Sequence, residues 1–175
     1  MEIQMVQAVD ENCLAIWNLL QQGIERRRKE GSNQWQDGYP NIQTLKNDLK
    51  NGFGFVFKFE NEIIGYAALI YNYEPAYDAI KGKWLSDEPY YVIHRLCIDK
   101  SQLGKGLATK FLLMIENYVS RQNCNSIKVD TNFDNAAMLR IFEKLNYQYC
   151  GEVEFRGSSR KAFQKVFHQI GRAHV

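Results

Sequence analysis

The stretch from Tyr90 to Gln122 constrains the fold more than any other part of the chain. Tyr90 to Asp99 is an apolar run that reads as a buried strand. Leu107 to Gln122 then carries Leu107, Phe111, Met114, Ile115 and Tyr118 at helical spacing. Between them lies Gly104-Lys105-Gly106. The first N–H groups of a helix have no acceptor inside it and point at whatever precedes them. Together with the helix dipole they form an anion site. Gly104 and Gly106 lack Cβ atoms, so a phosphate can approach the backbone, while Lys105 either adds charge there or faces solvent. A Gly-x-Gly pair is equally what a tight turn into a helix looks like. Two other phosphate loops fit poorly: the chain has no GxxxxGK[ST], and the third glycine position of a GxGxxG fingerprint is Thr109.

The flanking sequence alternates between strand and helix periods. Ile3, Met5 and Val6 mark a short strand, and Asp10 is placed to cap a helix from about Glu11 to Lys29 with Leu14, Ile16, Trp17, Leu20 and Ile24 as its apolar positions. Residues 31–40 form a loop, and Asn41 caps a shorter helix that Gly52 ends. Gly54–Glu60 and Glu62–Tyr71 read as a hairpin. Asn72 to Pro89 is irregular. After the long helix come a strand at Ser126–Thr131, a helix at Asn135–Leu145, and two closing strands, Tyr147–Phe155 and Arg160–Phe167, around Gly157-Ser158-Ser159. The order β-α-α-β-β-β-α-β-α-β-β, without linker or repeat, makes one α+β domain, placed at residues 1–169. The final Ile-Gly-Arg-Ala-His-Val breaks the apolar rhythm. It can be encoded by ATCGGAAGAGCACACGTC, which resembles part of a common sequencing adapter. Residues 170–175 are therefore read as a non-native tail rather than an ordinary chain end, and His174 is set aside.

Charge narrows the ligands. The 175 residues carry 22 Lys and Arg against 20 Asp and Glu, a net charge of +2. The basic excess expected of a nucleic-acid-binding domain is missing, and Arg26-Arg27-Arg28-Lys29 is only a short run. An anionic ligand has to be held locally. No apolar run approaches the ~20 residues of a membrane span, and Met1-Glu2-Ile3-Gln4 does not open a signal peptide. Cys13, Cys97, Cys124 and Cys150 are scattered with no CxxC pair, which argues against a zinc site and for reduced thiols. The expectation is a cytoplasmic protein with no metal, no nucleic acid and no membrane partner.

The segment Leu96 to Ala108 resembles motif A of the GCN5-related N-acetyltransferase (GNAT) family, Leu-x-Val-x-Pro-x-x-[Gln/Arg]-x-x-Gly-x-[Gly/Ala]. Leu96, Ile98, Gly106 and Ala108 match, whereas Lys100 replaces the proline and Leu103 the Gln or Arg. Asn135, Met138, Phe142, Lys144, Asn146 and Tyr147 resemble the family's second signature, and the element order is similar from Ile3 to Phe167. The resemblance implies a mixed, mostly antiparallel central sheet with helices on both faces. It implies acetyl-CoA as co-substrate and transfer of its acetyl group to a primary amine of a small molecule or peptide, by a monomer or homodimer. By the same analogy the amides of Leu103, Gly104, Lys105, Gly106, Leu107 and Ala108 hold the pyrophosphate. The backbone of Leu96 and Ile98 pairs with the pantetheine arm like an added strand, where the Tyr90–Asp99 and Ser126–Thr131 strands splay. Asn135 bonds that arm as well as capping its helix. A backbone amide near Leu96 or Cys97 is the oxyanion donor.

Transfer to an alkyl ammonium, with pKa near ~10.4, needs a base or a water chain. If side chains alternate along the strand, Val92, His94, Leu96 and Ile98 share a face. Several family members carry a carboxylate at the position of Val92, and the arylalkylamine acetyltransferases carry a histidine at that of His94. His94 is therefore the candidate base, against the alternative of a hydrogen-bonded core histidine. Phe142 stands on the donor side where the family often has a tyrosine acid, and phenylalanine donates no proton. Phe142, Val92 and Leu103 also motivate an alternative, a catalytically degenerate acyl-CoA-binding or regulatory domain. On the acceptor side, Trp35, Asp37 and Tyr39 of the 33–40 loop are candidate contacts, against the alternative of a loop anchored by its own aromatics; the Tyr73–Trp84 stretch is the candidate opposite wall, and Asp130 either faces the same cleft or is a buried, hydrogen-bonded carboxylate.

Overall fold

The computed structural model describes residues 1–167, so the tail assigned to residues 170–175 lies outside the described residues. In chain order the elements are β1 (Gln4–Gln7), α1 (Cys13–Lys29), α2 (Ile42–Lys50), β2 (Gly54–Phe59), β3 (Glu62–Tyr71), α3 (Pro75–Asp78), β4 (Lys81–Gly82), β5 (Tyr91–Ile98), α4 (Leu107–Arg121), β6 (Ser126–Thr131), α5 (Ala136–Lys144), β7 (Gln148–Phe155) and β8 (Ser158–Val166). The chain forms two compact units, Met1–Leu69 with His94–Phe111, and Ile70–Ile93 with the residues from Leu112 onward. Strand β5 and helix α4 each contribute residues to both.

The strand order is β1-β2-β3-β5-β6-β8-β7-β4. In the first unit β1 and β2, and β2 and β3, pair antiparallel. In the second, β5 pairs parallel with β6 at Tyr91↔Ile127 and Val92↔Lys128. The β6–β8, β7–β8 and β4–β7 pairs are antiparallel. The expected mixed, mostly antiparallel sheet is what forms. Two hairpins close through two-residue turns, Glu60-Asn61 (φ 49° and 69°) and Arg156-Gly157 (φ 50° and 76°). Both central residues being left-handed is the turn type whose twist matches the flanking strands. It shifts the last turn back from the expected Gly157-Ser158-Ser159.

The first unit's core joins Ile16, Leu19 and Leu20 of α1, Leu45 of α2, Val56, Tyr66, Ala68 and Cys97. Two expectations for α1 change. The helix begins at Cys13 after a short 3-10 turn over Asp10–Asn12. There the Val9 N–H donates to Asn12 Oδ1 at 2.9 Å, so Asn12 rather than Asp10 gathers the loose donor. Leu14 points to solvent at 81% exposure; the buried stripe is Ile16, Leu19, Leu20, Gly23 and Arg27. Helix α2 starts as expected, with Asn41 Oδ1 accepting from the Thr44 N–H at 3.0 Å.

In the second unit the stretch after β3 is more ordered than its sequence implies. Tyr77 is buried with Tyr90, Val92, Val153 and Ala162. Trp84 Nε1 donates to the Tyr77 carbonyl at 2.9 Å. The Leu85 N–H donates to Gln164 Oε1 at 2.7 Å, and Gln164 Nε2 in turn donates to Ser126 Oγ at 2.8 Å. The two-residue strand β4 lies against β7 because Gly82 and Gly151 face each other. A Cβ on Gly82 would stand 2.1 Å from the Cys150 carbonyl oxygen, and one on Gly151 2.2 Å from that of Lys81. Among the described residues no helix is long and apolar enough to cross a membrane.

Candidate active site

The strand, glycine turn and helix form as expected. Leu103, Gly104, Lys105 and Gly106 are exposed, Ala108 is half-buried, and Leu107 is buried as the first residue of α4. Gly104 and Gly106 have φ of 79° and 71°, the left-handed region that glycine enters without penalty. A Cβ built on either meets nothing within 4 Å, so their glycine identity answers to backbone conformation and open access, not to crowding by the protein. Among the described residues the N–H groups of Gly104, Lys105 and Gly106 have no backbone acceptor. Those opening α4 have none within the helix. Lys105 Nζ donates to Gln102 Oε1 at 3.1 Å. The preceding loop is pinned: Gln22 Nε2 donates to Asp99 Oδ1 at 3.0 Å, and the Lys100 N–H donates to Gln22 Oε1 at 2.8 Å. Burial opposes the Asp99 charge, but bonds from Ser101 and Gln22 win and hold the carboxyl below its ordinary value. An open row of N–H donors over a fixed base fits a diphosphate.

Strand β5 does not alternate regularly. Arg95 has φ 56°, and a left-handed residue inside a strand interrupts the period of two, as at a bulge. The single face inferred for Val92, His94, Leu96 and Ile98 is therefore broken at residue 95. His94, Leu96 and Ile98 are half-buried, while Cys97 is buried in the first unit's core. Burial pushes the Cys97 thiol up to about 12, which leaves it a neutral packing group and not a nucleophile.

The polar centre of this unit is a pair that sequence reading passed over. Arg95 Nε donates to Asp48 Oδ2 at 2.8 Å and Arg95 Nη2 to Asp48 Oδ1 at 2.5 Å. The side chains are 7% and 1% exposed. Tyr66 Oη donates to Asp48 Oδ2 at 2.7 Å, and Arg95 Nη1 donates to Tyr39 Oη. Burial works against the Arg95 charge, yet Tyr39 and Asp48 outweigh it and hold the guanidinium above its ordinary pKa. Burial first, and then the Asp48 carboxylate, raise the Tyr66 hydroxyl far above its ordinary range. A signal for Asp48 was present: it follows Ile42 and Leu45 at spacing three, on the buried stripe of α2, where a carboxylate requires a partner.

The acceptor-side candidates divide. Tyr39 is brought to β5 through Arg95, its ring 5.8 Å from the guanidinium carbon. Trp35 packs on the first unit's core and lies over Gly23 of α1, where an added Cβ would stand 2.7 Å from its ring. Asp37 is exposed. In the second unit, Asp130 accepts from Tyr77 Oη at 2.6 Å and faces Arg160 Nη1 at 3.8 Å, its side chain 4% exposed. That is a buried carboxylate engaged within the fold, not one open to a ligand. Tyr77 and Trp84, expected to line a wall, are packed inward. Asn135 caps α5, its Oδ1 accepting from the Met138 N–H at 3.3 Å. Phe142 is buried, its ring 5.5 Å from Tyr147 and 5.2 Å from Phe163. Among the described residues no group of three His, Cys, Asp or Glu side chains is placed to hold a metal ion.

Residues 17–147 match the Acetyltransferase (GNAT) family. A crystal structure of a GNAT-family acetyltransferase from Streptococcus agalactiae 2603 superposes with a TM-score of 0.87 at 36% identity, over 95% of this chain and 96% of that one. The chain belongs to the GNAT acetyltransferase family, whose acetyl donor is acetyl-CoA. A chain of the NatC complex, solved with Gag peptide and CoA, shares the fold at a TM-score of 0.69 and 13% identity, over 96% of this chain and 100% of that one. The spermine/spermidine N(1)-acetyltransferase of Bacillus subtilis (strain 168) is 27% identical over 103 residues, 57% of this chain and 61% of that protein. The chain spans about three fifths of the length of the curated relatives it matches.

Proposed function

We propose that this chain is an N-acetyltransferase that uses acetyl-CoA to acetylate a primary amine of a small molecule or peptide. The observation that carries the reading is the exposed turn Leu103–Gly106, in which the N–H groups of Gly104, Lys105 and Gly106 have no backbone acceptor among the described residues, leading from β5 into α4. The donor supplies an activated acetyl group on a thioester. The N–H groups from Leu103 to Ala108 would bind its diphosphate, and the backbone of Leu96 and Ile98 would align its arm. By the resemblance, Asn135 would also bond that arm, while Phe142, buried against Tyr147 and Phe163, has no proton to give the leaving thiolate. The N–H of Leu96 or Cys97 would polarise the carbonyl oxygen, and His94 would take the proton from the ammonium, directly or through water.

On the acceptor side, Tyr39 and the exposed Asp37 support binding of a cationic amine, and Trp35 shapes the loop beneath them. The polyamine acetyltransferases among the relatives place di- and polyamines first in an acceptor panel, followed by amino acids and peptide N-termini. The test mixes acetyl-CoA with each amine and follows release of free thiol. Release with one class of amine, and an acetylated product by mass, is the expected result. Donor binding with no release across the panel would overturn the enzymatic reading in favour of an acyl-CoA-binding domain.

A further inference from the structure

We infer that the buried Arg95–Asp48 pair, braced by Tyr66 and Tyr39, is a positioning clamp that fixes the kink of β5 and so aims the N–H groups of Leu96 and Cys97. The assignment rests on the acetyl-transfer reading for its purpose, and on geometry for its existence. Arg95 is a long, branched-tip side chain held at φ 56° inside a strand, a conformation that persists only where surrounding contacts over-determine it. Those contacts are present. The guanidinium fork closes on both oxygens of Asp48, at 2.8 and 2.5 Å. Asp48 is held from its other side by Tyr66. The remaining guanidinium nitrogen used here reaches Tyr39.

Stability alone is a poor reason for such a pair, because well-packed apolar residues often serve a buried position as well or better. Orientation is a better one. The peptide groups that follow a left-handed residue are turned out of the regular strand pattern, and the first two that follow Arg95 are those of Leu96 and Cys97. Tyr39 adds a second link. It sits on the loop that carries Trp35 and Asp37, so one guanidinium ties the acceptor-side loop to the strand that handles the thioester. Arg95 touches neither ligand in this scheme and is a positioning residue.

The experiment compares Arg95→Lys, Arg95→Gly, Arg95→Ala and Tyr39→Phe by three readouts: amide hydrogen exchange at Leu96 and Cys97 in the free protein, acetyl-CoA affinity by calorimetry, and kcat with the best acceptor from the panel. Lysine keeps the charge and loses the fork. Arg95→Lys should lower kcat about a hundredfold while acetyl-CoA affinity stays within about threefold, and should speed exchange at those two amides. Glycine adopts the left-handed conformation freely, so Arg95→Gly should retain about tenfold more turnover than Arg95→Ala. Equal turnover in the two, or unchanged exchange at Leu96 and Cys97 in Arg95→Lys, overturns the clamp. Tyr39→Phe leaves the ion pair intact and keeps the test open if the Arg95 variants fail to fold; an unchanged kcat there overturns the link to the loop. Altered exchange in a protein that acetylates no amine would keep the clamp and overturn the acetyl-transfer reading instead.

Discussion

At the scale of single residues the decisive question is which group manages the proton. His94 is half-buried on β5, one residue before the kink, and the surroundings of three other site residues give none of them that role. The Cys97 thiol is neutral and buried. The Asp130 carboxylate is engaged by Tyr77 and Arg160. Phe142 has no proton to give. An alkyl ammonium holds its proton up to about pH 10, so help from a base matters most near neutrality and fades as the amine loses the proton unaided. His94→Ala should therefore lower kcat by about 10²-fold or more at pH 7 and by progressively less toward pH 10, within the range typical of general-base loss. Rates across that pH range, at saturating acetyl-CoA, check this. A pH profile parallel to wild type would remove His94 as the base and leave a water chain.

At the scale of elements, the seating of one loop on one helix carries a prediction. Gly23 lies on the buried stripe of α1 because the Trp35 ring occupies the space where its Cβ would stand, 2.7 Å away. Alanine would improve helix propensity by about 1 kcal/mol, while forcing the ring aside costs about 1–3 kcal/mol. Gly23→Ala should thus cost between about 0 and 2 kcal/mol, lower the melting temperature by no more than about 8 °C, and displace Trp35 together with the 33–40 loop. The expected signature is a raised acceptor KM with unchanged acetyl-CoA affinity; an unchanged KM would detach that loop from acceptor binding. The same pair shows what the sequence discloses and what it does not. Apolar spacing together with cap and turn residues located α2, α4, α5 and every long strand, because those signals are local to each element. The glycine turn was legible because its chemistry is local. Trp35 reads equally as an aromatic wall or as an anchor for its loop; the structure makes it an anchor, and its seat is a glycine twelve positions away in sequence. Arg95 and Asp48 lie on different elements and gain their meaning only when the fold joins them. Asp48 still left a trace as a carboxylate on an apolar stripe. The left-handed conformation of Arg95 left none, since nothing in Tyr-Val-Ile-His-Arg-Leu-Cys-Ile marks where alternation fails. Residues 72–89 read as irregular because β4 is two residues long and its order comes from Tyr77, Trp84 and Gln164.

At the scale of the whole molecule, charge decides how the donor is held. The chain has a net charge of +2, and part of its most basic run is engaged internally. Arg27 bonds Glu30 and the Ser32 hydroxyl, each at 2.9 Å, and Arg28 bonds Glu25 at 2.5 Å. Little long-range field is left to draw in a polyanion, so the affinity must come from hydrogen bonds at the turn itself. Two measurements follow from that. Raising ionic strength from about 0.01 M to about 1 M shortens the screening length from about 30 Å to about 3 Å. This removes distant charge effects and spares contact hydrogen bonds, so acetyl-CoA affinity by calorimetry should fall by less than about tenfold. Lys105 is exposed and tied to Gln102, and an exposed charge contributes about 1 kcal/mol at most; Lys105→Ala should weaken binding by no more than about fivefold. Gly106→Asp places a carboxylate among the donors meant for phosphate. Repulsion of about 1–4 kcal/mol at ~4 Å should weaken binding by about fivefold to a thousandfold, with thermal stability reported alongside to separate repulsion from misfolding. A steep salt dependence, or a Lys105→Ala loss as large as that of Gly106→Asp, would mean that side-chain cations and not backbone amides hold the ligand.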